Sequence, residues 1–234
     1  TGKDYMGQAW PLSFHSLDDW RTPLFLYADV PFIALFGLNE WGVRLPAALF
    51  GVLTLPFFFL LTKKLFQNEK LALAATFFLA ISPWHLQYSR AAFEVTQMLF
   101  LIVAGFYFFL RGLERWPFLI GSAIFLALTP YSYNTAKFFL PLFILLLVFC
   151  FWQKIKKIPL KKLAIAAAIF LLILLPMTKD IFFGKAAERF SILSIFTDPT
   201  VIPQIGFERQ TDMKVVLGEV PVGTAPSFSS RVFH

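Results

Sequence analysis

Charge is the scarcest property of this chain. Only 15% of its 234 residues are Asp, Glu, Lys or Arg, and 58% are hydrophobic, where a soluble domain carries roughly 25% and 45–50%. That deficit excludes an ordinary soluble enzyme, a disordered protein and a fibrous repeat. A single cysteine, Cys150, excludes an intramolecular disulfide and a cysteine-built zinc site. Histidine is almost as rare, and His15, His85 and His234 show no ligand spacing. No Gly-rich phosphate loop, nucleophile elbow or His-Glu-x-x-His motif occurs, so nothing indicates ATP-driven chemistry. No metal site and no cofactor are expected from these residues.

What the chain has in abundance is long apolar runs. Its mean hydropathy is +0.68, and it holds 31 Phe, 6 Trp and 6 Tyr. A membrane-crossing helix needs roughly 20 apolar residues. Six uncharged stretches meet or approach that: Leu45–Thr62, Leu71–Ser89, Val95–Leu110, Trp116–Ala136, Phe138–Gln153 and Leu163–Thr178. Short alternating segments, the mark of a membrane β-barrel, are lacking. The expected fold is therefore all-α, a polytopic membrane helical bundle of about six transmembrane helices plus an interfacial helix. The interfacial helix is Pro23–Leu38, because Asp29 in mid-segment, with Pro31 just after it, opposes insertion.

Orientation follows from the basic residues. Lys63, Lys64, Lys70, Arg111, Arg115, Lys154, Lys156, Lys157, Lys161 and Lys162 fall in one set of connections; Arg44, Arg90 and Lys137 fall in the other. Ten against three makes the first side cytoplasmic. The net charge of +7 is then a topology signal, and no nucleic-acid partner is expected. Three parts result: 1–44, an outer-face loop and interfacial helix; 45–178, the transmembrane bundle; 179–234, an outer-face loop or small extramembrane element. The chain starts without Met and stops at Arg231-Val232-Phe233-His234, and the expectation is a fragment lacking spans at both ends.

Polar groups gather on the outer side, and in so apolar a chain they are the informative ones. Ser82-Pro83 reads as a helix start, a hydroxyl N-cap followed by Pro. A helix from Pro83 to Leu110 would rise about 42 Å, so its first turns should project beyond the hydrocarbon. On it, Gln87, Arg90, Glu94 and Gln97 would form one stripe, with Arg90 and Glu94 able to pair. The stripe is either a structural ion pair closing the helix top or an anion-binding and catalytic site. Arg suits phosphate through its fork of donors, and a carboxylate beside it can orient an acceptor hydroxyl. A second group is Thr129-Pro130-Tyr131-Ser132-Tyr133-Asn134-Thr135-Ala136-Lys137, which taken alone reads as interfacial tyrosines and a snorkelling lysine. Asp18-Asp19 reads as a solvated loop, and Arg44 as an interface anchor.

Taken together, the ordered set resembles the polyprenyl-phosphate-sugar-dependent glycosyltransferases of the GT-C fold. Within them it is most similar to glycosyltransferase family 39, which holds the protein O-mannosyltransferases and the lipid A aminoarabinose transferases. The run is Asp19-Trp20-Arg21-Thr22-Pro23-Leu24, then Val43-Arg44-Leu45-Pro46-Ala47-Ala48-Leu49-Phe50-Gly51. It continues through Ser82-Pro83-Trp84-His85, Tyr88-Ser89-Arg90-Ala91 and Glu94 to Tyr131-Ser132-Tyr133 and Pro141-Leu142. The resemblance implies a sugar donor carried on a polyprenyl phosphate, a protein, lipid or glycan acceptor, and a site on the non-cytoplasmic face. It implies catalytic roles for Glu94 and Arg90. It implies lipid-phosphate or substrate contacts for Arg21, Lys137, Tyr131, Tyr133 and Arg44. The family's general base sits in an Asp-Glu pair that this chain lacks, so the expectation is that the chain alone is inactive. A divalent metal, used by some relatives, is not indicated here. The cell membrane, in a bacterium the inner one, is the expected location. A transporter or flippase, whose ionisable groups lie near the midplane, and a non-catalytic membrane scaffold are the competing classes.

Overall fold

The computed structural model describes residues 7, 10–16 and 19–183, all within the first of the chain's two compact units, Thr1–Ala186. The expected outer element from residue 184 onward, and Asp18, lie outside the described residues. The fold is an all-α helical bundle with one small addition. Strands β1 (Phe14–Ser16) and β2 (Asp19–Arg21) form an antiparallel hairpin that pairs Phe14 with Arg21. Three-residue strands are too short to leave a readable alternation, which is why the pattern did not announce them.

Helix α1 (Pro23–Phe36) follows Thr22, with Pro23 in the first helical position, where its missing N–H costs nothing. Gly37, at φ 80°, ends it. Helix α2 (Glu40–Phe66) starts five residues earlier than the apolar run, because the Asn39 side chain caps it by accepting from the Gly42 N–H at 3.0 Å. Its acidic Glu40 sits at the positive end, and Lys63 and Lys64 at the negative end. At 27 residues it is about 40 Å long, enough to cross a bilayer core of about 30 Å.

The stretch Leu71–Ser89, expected as one span, is two helices. α3 (Glu69–Ile81) is 13 residues and α4 (Pro83–Arg90) is 8, with the break at Ser82-Pro83. The N-cap signature there overrode the continuous apolar run. The helix expected from Pro83 to Leu110 is also broken: α5 (Glu94–Gly112) begins after extended residues at Ala91 and Phe93. The remaining helices are α6 (Pro117–Ser132), α7 (Ala136–Ile155) and α8 (Leu160–Phe183). Four helices, α2, α5, α7 and α8, are long and apolar enough to cross a membrane, while α1 and α6 are shorter apolar helices.

α5 packs against both α2 and α6. Leu61, Val103 and Leu110 form one buried cluster, and Phe100, Leu101 and Ala104 another, into which Phe50, Phe57 and Phe125 pack. Phe57 meets Phe100 edge-on at 5.6 Å, and Phe108 stacks on Phe125 at 5.3 Å. Helices in hydrocarbon are held by close packing and interhelical hydrogen bonds. Gly105 supplies both, lying against Leu126 and accepting from Ser122 Oγ at 2.9 Å. Outward, Leu142, Leu146, Phe149, Leu171 and Leu172 are exposed, as lipid-facing rows require.

The bundle has two chemically distinct ends. At one lie Lys63, Lys64, Arg111 and the lysines of the α7–α8 turn, with Lys64 paired to Glu114 and Lys63 to Glu69. At the other lie the starts of α2 and α5 and the end of α6.

Candidate functional site

Three chain segments meet at the second end. Arg21 closes β2 and is followed by Thr22, whose hydroxyl donates to the Ser132 carbonyl at 2.7 Å, tying the start of α1 to the end of α6. Ser132 Oγ lies 2.8 Å from Gln97 Oε1 and 3.2 Å from the Glu94 carbonyl, tying α6 to the first turns of α5. A hydroxyl has one proton, so it donates to one of these at a time. Thr22, Gln97 and Ser132 are all buried. On this frame Arg21 Nη1 reaches Glu94 Oε1 at 3.2 Å across 73 residues of sequence. The Glu94 side chain is 15% exposed and that of Arg21 49%. The carboxylate is therefore held inside, and the guanidinium keeps donors facing outward.

The hairpin is seated by Tyr27 of α1. Its hydroxyl donates to the Pro11 carbonyl at 2.8 Å, and its ring meets Phe14 edge-on at 5.6 Å. These contacts fix where β2 ends, and hence where Arg21 stands.

A separate hollow of about 240 Å³ opens beside this cluster in the sequence. It is lined by Glu40, Trp41, Arg44, Leu45, Ala48, Ser89 and Arg90. Arg44 pairs with Glu40 one turn away at 3.2 Å. Arg90 has no ion-pair partner among the described residues, and the buried Ser89 Oγ has no hydrogen-bond partner. Two guanidinium groups, one of them paired with Glu40, and an indole make a hollow suited to an oxyanion with an apolar attachment.

The helix break decides this arrangement. Arg90 and Glu94 do not pair, because residues 91–93 leave the helix and the one-turn spacing is lost. Instead Glu94 becomes a first-turn acid of α5, favoured by the helix dipole, and turns to Arg21. Thr96 Oγ1 donates to the Tyr88 carbonyl at 3.0 Å and staples the two helices across the break. Four residues span at most about 14 Å, so the Arg90 hollow and the Arg21–Glu94 pair remain neighbours.

The other expected ligands are placed differently. Tyr131 is buried; its hydroxyl donates to the Ile173 carbonyl at 2.6 Å and accepts from the Met177 N–H at 3.2 Å. It locks α6 to α8. Tyr133 caps α6 and is half-buried, and Lys137 Nζ donates to Asn134 Oδ1 at 2.8 Å. Gln97 and Ser132, which build the frame with Thr22, carry one readable signal: uncharged polar residues within apolar runs.

Among the described residues no group of three or more His, Cys, Asp or Glu could hold a metal ion. His85, in α4, is buried with Nε2 3.3 Å from the Gly51 carbonyl. Burial lowers its pKa, partly offset by that bond. It therefore stays neutral and donates through Nε2, anchoring α4 to α2.

Asp29 in α1 is buried, and its Oδ1 has no hydrogen-bond partner among the described residues. Burial pushes its pKa up to about 7. An unfolded Asp titrates near pH ~4, so between these values the folded chain holds a proton the unfolded chain has lost. The stability tied to that proton is full below about pH 4 and falls away as pH rises to about 7. Asp29→Asn is expected to exceed the parent in stability above pH ~7 by up to about 4 kcal/mol. That gain should shrink to nothing in acid. Unfolding midpoints across pH check it, and a gain that ignores pH would refute it.

Comparisons with known proteins point to a family. A family described as dolichyl-phosphate-mannose-protein mannosyltransferase matches residues 21–178. A relative from Pyrococcus furiosus, described as dolichyl-phosphooligosaccharide-protein glycotransferase 2, is 34% identical over 90 residues, covering 37% of this chain and 12% of the relative. Its namesake from Pyrococcus horikoshii is 40% identical over 79 residues, covering 33% of this chain and 10% of the relative. The chain thus spans about an eighth or less of the length of these curated relatives. No solved structure matches the chain.

Proposed function

The chain belongs to the dolichyl-phosphate-mannose-protein mannosyltransferase family, and on that premise we propose that the protein moves a sugar from a polyprenyl-phosphate donor to an acceptor on the non-cytoplasmic face. The observation that carries this reading is the pairing of an Arg44–Arg90 hollow with an Arg21–Glu94 ion pair. Both lie at the end of the bundle opposite the lysines of α2.

The donor's phosphate docks in the hollow, where Arg44 and Arg90 face its oxygens. Trp41 flanks the first isoprene unit, and the tail runs along the exposed apolar helix faces. An acceptor hydroxyl attacks the anomeric carbon as the bond to the phosphate oxygen breaks. Its proton goes to the carboxylate base that the family resemblance implies, an Asp-Glu pair this chain lacks, and the electron pair of the broken bond stays on the phosphate. Charge therefore develops on the leaving phosphate, where fixed cations lower the barrier most. Arg21, held by Glu94, keeps outward-facing donors for that charge or for the acceptor. Tyr133 at the end of α6 and Lys137 at the start of α7 are further donors.

The test is transfer of labelled sugar from a polyprenyl-phosphate donor in proteoliposomes containing the full-length protein. Arg90→Ala and Glu94→Gln are each expected to lower turnover at least tenfold, about 1.4 kcal/mol of barrier. Arg90→Ala should also weaken donor retention. Unchanged turnover in both variants would remove these residues from the mechanism. Unreacted donor crossing the bilayer would favour a flippase, and absence of donor retention a scaffold.

A further inference from the structure

We propose that the turn between α7 and α8 is a binding site for the phosphate headgroup of an anionic phospholipid. The turn carries Lys156, Lys157, Lys161 and Lys162 within seven positions. Of the other cations at this end, Lys63 pairs with Glu69, Lys64 with Glu114, and Arg111 stacks over the Phe118 ring at 5.2 Å. Lys154 contributes to the field on Glu114, whose pKa is lowered chiefly by its hydrogen bond to Lys64. The four turn lysines have no carboxylate within ion-pair distance among the described residues.

Their positions are prepared by packing. Ile155 is buried, and Ile158 packs on the cluster of Leu119, Ala123 and Ala166, so the turn is pinned to α6 and α8. Lys156 Nζ lies over the Trp152 ring at 4.9 Å, and Lys162 Nζ over the Trp116 ring at 5.5 Å. Such contacts hold the ammonium groups at the level where tryptophan settles in a bilayer, beside the headgroups.

The chemistry of the partner follows from what lies next to the charge. Just before the kink at Phe151 that separates it from Trp152, Phe149 is 83% exposed, and Leu145 and Leu142 continue an apolar row from it. A ligand for this site must carry an anionic head and a hydrocarbon tail together. A nucleic acid or an acidic peptide would leave the row uncovered. Unpaired basic clusters at helix ends near the membrane surface are suited to phospholipid phosphates.

The experiment is native mass spectrometry of the full-length protein equilibrated with phosphatidylglycerol or phosphatidylcholine in mixed micelles. Preferential retention of phosphatidylglycerol is expected. The quadruple variant K156Q/K157Q/K161Q/K162Q should lose it by about tenfold or more. The corresponding quadruple arginine variant should keep it, and K63Q/K64Q should leave it unchanged. Excess inorganic phosphate should not displace the lipid, because it lacks a tail. A glutamine variant that retains the parent's preference would overturn the proposal. So would an arginine variant that loses it, a K63Q/K64Q variant that loses as much, or displacement by free phosphate. None of these outcomes depends on sugar transfer.

Discussion

Arg21→Ala is expected to lower kcat/KM for sugar transfer by about 10²–10³-fold, the cost of removing one fixed donor from a site of developing charge. The guanidinium is held 3.2 Å from Glu94, with half of its side chain still exposed, so it is oriented without being used up. Arg21→Lys should recover only part of the loss, since an ammonium lacks the planar fork. A purely structural reading must be kept apart, because Arg21→Ala strands a largely buried carboxylate without its counter-charge. The double variant Arg21→Ala/Glu94→Gln separates the two. If Arg21 only neutralises Glu94, the double variant regains its unfolding midpoint and transfers sugar as fast as Glu94→Gln alone. If Arg21 acts on the reactants, the midpoint recovers and transfer falls well below that of Glu94→Gln.

The second large effect belongs to Gly42, in the first turn of α2. A Cβ on Gly42 would run into the Gly37 carbonyl and approach the Ile33 Cα at 3.4 Å. Both are backbone atoms and cannot rotate away. Gly42→Ala is therefore expected to cost about 2–3 kcal/mol by overpacking, read as a lowered unfolding midpoint in detergent. It should also prise α1 from α2. Thr22 caps α1 and bonds the end of α6, so that shift would carry Arg21 away from Glu94 and reduce transfer in parallel. Gly121→Ala serves as the comparison. Its nearest contact would be a Phe108 side-chain carbon at 3.4 Å, and a small change is expected. Equal effects at the two glycines would show that the backbone contact at Gly42 is not what matters.

Much of the molecule was legible from residue order. The apolar runs became α2, α5, α7 and α8. The segregation of lysine and arginine became one basic end tied by Lys63 and Lys64. Pro23 after Thr22 and Pro83 after Ser82 both stand at helix starts. The ordered motifs led to the family that matches residues 21–178. These features are local: hydropathy, capping and charge near helix ends act within a few residues, and their signal is written where they act.

The site was legible only in its ingredients. Nothing near Ala91-Ala92-Phe93 announces a helix break, because alanine is the best helix former. There the choice belongs to Thr96 reaching the Tyr88 carbonyl and to Glu94 meeting Arg21 and lying beside Ser132 from distant segments. The same holds for Tyr131, read as an outer-face ligand and found bonded to α8. Sequence by itself determined the helices, their two chemically distinct ends and the inventory of polar groups. Tertiary structure alone decided which of those groups face each other. A buried donor or acceptor must find a partner wherever the packed chain brings one, and that partner can lie 73 residues away.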